Sequence, residues 1–232
     1  MCGRAYSTVT DEELEVRYGT GKLKLPSLRD LKPNYNLCPT QSSPIILIRE
    51  KKKELGYFRW GLVPFWAKDV KDAAKYSLIN ARGEEILEKR SYSGPFKKRR
   101  CIVPLTGFYE WERTKDTKRP FAISMKDDSI MSVAGVWEHW VSKDTGEIVD
   151  SFSIITTSAN SFMEKIHDRM PVILSKDDEQ DWLDPKNENI KDLQKLLKPC
   201  AAKLLKAHEI SSMVNSPKNN KPEVLTPLKV KA

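Results

Sequence analysis

Apolar positions fall in short runs separated by charge clusters and turn residues. Most runs are too short for helices, so the pattern reads mainly as strands. The runs are Ile45 to Arg49, Glu54 to Trp60, Cys101 to Pro104, Phe108 to Glu112, Phe121 to Met125, Ile130 to Trp137 and Phe152 to Thr156. Their spacing predicts a largely antiparallel sheet curled on itself. A helix is signalled earlier by Thr10-Asp11-Glu12-Glu13, a Thr-x-x-Glu capping box, with a stop near Gly19. Between Ser158 and Met170 the pattern turns helical again, with Ser161-x-x-Glu164 as a second capping box and Pro171 setting the end. That reading puts His167 near a helix C-terminus. Helices from about Lys176 to Leu183 and about Ile190 to Leu197 are stopped by Pro185 and Pro199, and their apolar residues face a core. The polar stretch Pro217 to Pro222 reads as a loop leading into a weakly ordered tail. With no internal repeat and no long linker, one domain spans 1–222, followed by a short basic tail over 223–232.

Composition narrows the class. The 232 residues suffice for one full core. No apolar run approaches the roughly 20 residues of a membrane-spanning helix, and no secretion signal is evident. A cytosolic monomer is expected, nucleoid-associated in a bacterium or archaeon and nuclear in a eukaryote. The four cysteines, Cys2, Cys38, Cys101 and Cys200, lie far apart without a CxxC pair, and the three histidines show no metal-ligand spacing. Neither a metal nor another cofactor is expected. Cys38 and Cys101 sit in apolar stretches that predict core thiols. A net charge of +8 favours polyanionic partners, because cations that neutralise phosphates release condensed counterions. The run Lys97-Lys98-Arg99-Arg100 fits such a contact or, more simply, solvated surface.

Chemistry collects in four segments. In Cys2-Gly3-Arg4, removal of Met1 would leave a thiol and a free α-amine on one residue. Such a group traps aldehydes: the amine forms a Schiff base, and the adjacent thiol closes a five-membered thiazolidine in an intramolecular step. With reference values of about 8.5 for the thiol and about 8 for the amine, both reactive forms coexist near neutrality. In Asn80-Ala81-Arg82 an amide and a guanidinium would share one face of an extended segment and suit a sugar-phosphate; a turn-stabilising asparagine is the plainer alternative. In Gly107-Phe108-Tyr109-Glu110-Trp111-Glu112 a carboxylate sits among aromatics, where burial would raise its pKa towards neutrality. In Ile166-His167-Asp168-Arg169 the histidine suits proton transfer, although one histidine alone is more commonly structural.

These segments, with Tyr35-Asn36-Leu37-Cys38-Pro39-Thr40-Gln41, Trp60-Gly61-Leu62-Val63-Pro64-Phe65-Trp66-Ala67, Cys101-Ile102-Val103-Pro104, Ala134-Gly135-Val136-Trp137, Thr156-Thr157-Ser158-Ala159-Asn160, His167-Asp168-Arg169-Met170-Pro171 and Val214-Asn215-Ser216, resemble one family: the SOS response-associated peptidases, or abasic-site processing proteins. The resemblance covers nearly the whole chain. It implies an α+β domain on a distorted, mostly antiparallel β-barrel flanked by short helices, with a basic groove for single-stranded DNA. It also implies covalent capture of the abasic-site aldehyde by Cys2. On the matching motifs, Asn80 would orient the N-terminus and the sugar, Glu110 would shuttle protons, and His167 would assist ring opening and reversal. Arg4, Arg82 and Arg169 would hold phosphates, while Trp66 and Trp111 would stack on bases. Gly83 and Thr106 depart from the usual small residues of the pattern, outside the reacting atoms.

Two other functions compete. Cys2 could serve a peptidase, whose best-supported act is loss of Met1, since no Cys-His pair of known spacing is present. A non-catalytic single-strand binding module would leave Cys2, Glu110 and His167 without a purpose.

Overall fold

The computed structural model describes residues 2–20, 32–113 and 117–228. In chain order these form β1 (Ala5–Ser7), α1 (Asp11–Tyr18), β2 (Asn34–Leu37), β3 (Ser42–Arg49), β4 (Lys52–Trp60), α2 (Val70–Ala74), β5 (Asn80–Arg82) and α3 (Arg90–Lys98). There follow β6 (Arg100–Leu105), β7 (Gly107–Arg113), β8 (Lys118–Met125), β9 (Met131–Val141), β10 (Ile148–Ser158), β11 (Arg169–Pro171), α4 (Lys176–Leu183), α5 (Ile190–Lys195) and β12 (Leu205–Glu209). All seven expected strands are present, as β3, β4 and β6 through β10. The expected helix at Thr10 is α1, closed by reciprocal Thr10 and Glu13 hydrogen bonds and ended by Gly19 at φ 65°.

The fold is α+β, on a distorted barrel. The long strand β10 explains the closure. It pairs antiparallel with β9 along Ile148 to Ile154 and parallel with β4 at Ser151 and Phe152, so the ring β10-β4-β3-β6-β9 returns to β10. Beyond that ring β10 continues, holding β5 in parallel and β11 antiparallel. A second sheet of order β12-β8-β7-β1-β2 packs against the barrel. Cys2, Leu37, Leu47, Phe58, Trp60, Val103, Phe108 and Phe152 are buried in the cluster between the two. The site strands β1 and β7 therefore come from one sheet, and β5 and β11 from the extension of the other.

Four readings of the sequence need correction. Between Ser158 and Met170 there is no α-helix: one 3-10 turn, Met163–Lys165, is followed by β11. Asn160, not Ser161, caps that turn, its Oδ1 accepting from the Phe162 and Met163 amides at 3.1 and 3.0 Å. Pairing with β10 then holds the chain extended, so His167 sits at a turn-to-strand junction rather than at a helix C-terminus. The basic run is not solvated throughout. Arg100 is 5% exposed and donates to the carbonyls of Phe96, Lys97, Trp182, Asp184 and Asn187, tying α3 to α4, while Arg99 pairs with Glu138. The boundary at residue 222 falls inside packed structure. Val224 is buried with Tyr6, Tyr109, Ile210 and Val214, and Leu228 still bonds Glu209. Finally, α5 ends at Lys195, short of the expected Leu197.

Candidate active site

The cysteine segment is held beside β7 because the Tyr109 amide donates to the Arg4 carbonyl at 2.9 Å. This places Cys2 next to the strand that carries Glu110. Cys2 is fully buried, and its thiol donates to the Arg4 carbonyl at 3.8 Å. Burial, reinforced by the nearby Glu110, pushes the Cys2 thiol well above its ordinary range. In the folded chain burial therefore favours S–H over the thiolate that the reference values allow.

From the other sheet, β5 presents Asn80 and Arg82 on one face, with the intervening Ala81 buried. The register with β10, Asn80 opposite Ile154 and Arg82 opposite Thr156, fixes this strand, and Tyr92 from α3 donates to the Asn80 carbonyl at 2.9 Å. The Asn80 amide nitrogen donates to the Cys2 carbonyl at 2.8 Å. Its Oδ1 is buried and has no hydrogen-bond partner among the described residues. A buried acceptor left open costs about 1–3 kcal/mol, so this oxygen is placed for a donor that arrives later.

Glu110 is 3% exposed, and burial raises its carboxyl pKa, with the amino-terminal charge first and His167 second partly offsetting the rise. His167 Nε2 lies 4.0 Å from Glu110 Oε2. At the other ring nitrogen two contacts compete: the Arg169 amide approaches Nδ1 at 3.0 Å, and Asp168 Oδ1 lies 2.8 Å away. The amide can only donate and a carboxylate oxygen can only accept, so the two contacts ask opposite roles of Nδ1.

A polar cavity of about 370 Å³ opens over these groups, walled by Arg4, Glu110, Trp111, Lys118, His167 and Asn215. Arg4 is fixed there by the Asn36 side-chain oxygen at 2.7 Å and the Val214 carbonyl at 2.6 Å. Trp111 donates through Nε1 to Asn215 at 2.9 Å, and Lys118 Nζ lies 5.3 Å from its ring centroid. A second cavity, about 360 Å³, lies beside α1 and α4. On its wall Arg17, Glu179 and Ser132 bond one another.

The structure thus gathers Cys2, Arg4, Asn80, Glu110, Trp111 and His167. The other expected residues stand apart. Trp66 packs edge-on against Tyr76 with centroids 5.1 Å apart. Arg82 is about half exposed and pairs with Glu85 at 3.3 Å. Arg169 is held by both Glu84 oxygens, at 2.8 and 2.9 Å, and donates to the Thr156 carbonyl. Sequence reasoning missed Asn36, Asn215, Lys118 and Tyr92. Asn36 and Asn215 lie in motifs quoted for the resemblance, but only the fold shows that they carry Arg4 and Trp111.

Fold and site together define a class: an α+β barrel with a cysteine near its amino terminus, buried at the seam of two sheets under a polar cavity. The SOS response associated peptidase (SRAP) family matches residues 1–217, and the chain belongs to it. Abasic site processing protein YoqW of Bacillus subtilis is 45% identical over 194 residues, 83% of this chain and 85% of its own. Abasic site processing protein YoaM of the same organism is 41% identical over 232 residues, 97% of each chain. Abasic site processing protein HMCES of Xenopus tropicalis is 31% identical over 263 residues, 97% of this chain and 78% of its own. A crystal structure from Bacteroides thetaiotaomicron superposes with a TM-score of 0.90 at 33% identity, covering 98% of this chain and all of that one.

Proposed function

We propose that the protein processes abasic sites in single-stranded DNA by bonding covalently to them through Cys2 after Met1 has been removed. The observation that carries this reading is the pairing of Cys2 with Asn80. One amide group grips the Cys2 carbonyl, and its buried oxygen stays open for an added N–H or O–H. Hydrolysis of the Met1–Cys2 bond supplies the α-amine. That amine adds to the aldehyde carbon of the ring-opened sugar, and loss of water gives the imine. The thiol then adds across C=N, its sulfur bonding to carbon and its proton passing to nitrogen. The sum is aldehyde plus aminothiol giving thiazolidine and water.

Because the thiol is buried as S–H, a neighbouring base is needed to move that proton. Glu110, its pKa raised by burial, takes it and returns it to nitrogen. His167, whose Nε2 points towards Glu110 at 4.0 Å, serves the sugar's ring oxygen during opening and, in reverse, release. Arg4, Arg82 and Arg169 are the proposed phosphate contacts, and Trp66 and Trp111 the proposed stacking surfaces. The relatives' names support abasic-site processing as the reaction class. The peptidase reading keeps only the loss of Met1.

The test is intact mass after incubation with an oligonucleotide carrying one abasic site. The expected result is a chain beginning at Cys2 and one adduct of strand mass less one water. A chain that retains Met1 yet couples fully overturns the mechanism, and purely reversible binding returns the protein to the single-strand binding class.

A further inference from the structure

Arg59 on β4 is half-buried, and its recorded partner is a single carbonyl, that of Gly61 at 2.8 Å. Other arginines are better provided for. Arg17, Arg82, Arg99, Arg119 and Arg169 face carboxylates, and the buried Arg100 has five carbonyls. Burial lowers the Arg59 pKa, and among the described residues no carboxylate pairs with it. A desolvated guanidinium with spare donors is an unfilled anion site, because two parallel N–H groups match a phosphate bidentately.

Arg59 lines a cavity of about 240 Å³ together with Thr40, Gly61, Ser77 and Ile79. Backbone strain concentrates around that cavity. Five described non-glycine residues have positive φ; Glu50 and Lys51 form the tight turn between the paired strands β3 and β4, and Asp128 lies in the turn between β8 and β9. The remaining two, Thr40 at 75° and Ser77 at 49°, both line this cavity, as does Gly61 at 116°. A β-branched residue in that region is a costly outlier, and such strain gathers where a ligand is held. The hydroxyls of Thr40 and Ser77 belong to exposed residues and add two donors.

The cavity is smaller than the roughly 300–1,000 Å³ of small-molecule sites, which favours one group of a larger ligand. Ile79 on its wall immediately precedes Asn80, and the Ile79 carbonyl accepts from Trp60 Nε1 at 2.9 Å, so the cavity and the cysteine site share one rigid segment. We propose that Arg59, with the Thr40 and Ser77 hydroxyls, forms a subsite for one backbone phosphate of the DNA strand whose abasic sugar is captured at Cys2. It rests on the covalent-capture reading for the identity of the strand.

The experiment uses an oligonucleotide with a tetrahydrofuran abasic analogue, which has no aldehyde and binds reversibly. Each phosphate in turn is replaced by neutral methylphosphonate, and affinities are measured for wild type and Arg59→Gln. One linkage should cost wild type roughly tenfold, the size of one charge-assisted hydrogen-bonding contact, and that cost should vanish in Arg59→Gln. Equal penalties in both proteins at every linkage overturn the subsite. Should Arg59→Gln not fold, wild-type amide shifts decide: Thr40, Gly61 and Ser77 should respond to the strand and lose that response with the critical methylphosphonate. A response to inorganic phosphate but none to the strand would assign the cavity to a free anion and overturn the proposal. Mass analysis with an aldehyde-bearing strand, run in parallel, reports separately on covalent capture.

Discussion

Glu110 and Glu138 are equally hidden, each 3% exposed, and in both burial raises the carboxyl pKa. Their surroundings nevertheless differ. Glu138, on β9, has a fixed cation: Arg99 Nη2 donates to it at 2.8 Å, and the His139 amide donates to its other oxygen at 3.1 Å. Glu110, on β7, faces the titratable imidazole of His167 at 4.0 Å and the buried thiol of Cys2, with a cavity above. Burial and a shifted pKa therefore do not single out a reactive carboxylate. What separates the two is their company: fixed hydrogen-bond donors around Glu138, and around Glu110 the groups to which the proposed mechanism assigns proton transfer.

The largest effect should come from dismantling the Glu110 region at its proposed nucleophile, Cys2. Cys2→Ser keeps the amine but lacks the sulfur, so it should halt at the imine. The stable adduct should be absent from mass spectra, while reversible strand binding persists. A stable adduct in Cys2→Ser would place the chemistry elsewhere.

Next comes the comparison itself. Glu110→Gln should slow adduct formation by about 10²- to 10⁴-fold, the usual worth of acid-base catalysis. Glu138→Gln should leave that rate alone. Stability should move the other way. Glu110's folded pKa is raised, so its contribution is fully present below the unfolded value of about 4.3 and is lost as pH rises through the folded one. Glu110→Gln removes that loss and should melt above wild type at pH 8, with the advantage gone at pH 4. Glu138 carries the same sign, but its glutamine variant also strands Arg99, whose side chain is 29% exposed. A net loss of about 1 kcal/mol is expected there, a drop of roughly 2–4 °C for a chain of this size. Melting curves at the two pH values, beside quenched cross-linking time courses, test both halves. Matching behaviour of the two variants would erase the distinction.

The same contrast explains what could be read from the sequence. Strands such as Phe121 to Met125 announce themselves because several residues obey one pattern, and α1 because Thr10 and Glu13 cap each other locally. By contrast, β1, β5 and β11 are three residues each, too short to carry a period, and exist because β2, β7 and β10 pair with them. The segment around His167 departs from its sequence pattern for a related reason. Asn160 capping and β10 pairing outweigh a plausible capping box. The site's chemical groups were visible as motifs, since Cys2, Asn80, Glu110 and His167 are unusual in their local company. Their partners were not, because Arg4 to Val214 and Trp111 to Asn215 are contacts across most of the chain.

The smallest expected effect concerns a third glutamate, which lies between those two extremes. Glu84 is an exposed carboxylate that occupies Arg169, one of the proposed phosphate contacts, with bonds of 2.8 and 2.9 Å. The hydrogen bond from Arg169 holds the Glu84 pKa below the ordinary carboxylate range, so any stability from the pair is present above the unfolded pKa and is lost only as pH falls through the depressed one. Near neutrality the pair is closed, and a phosphate must displace Glu84 to reach Arg169. Glu84→Gln weakens that competitor without removing the guanidinium. Affinity for a strand with an unreactive abasic analogue should rise a few-fold, and its salt dependence should steepen by up to about 0.7, the slope of one single-strand phosphate contact. Arg169→Ala should shift both quantities the opposite way or leave them flat. If Glu84→Gln binds with the wild-type affinity and slope, Arg169 is a brace between Glu84 and the Thr156 carbonyl, and it joins Arg99 among the arginines that hold the fold rather than the strand.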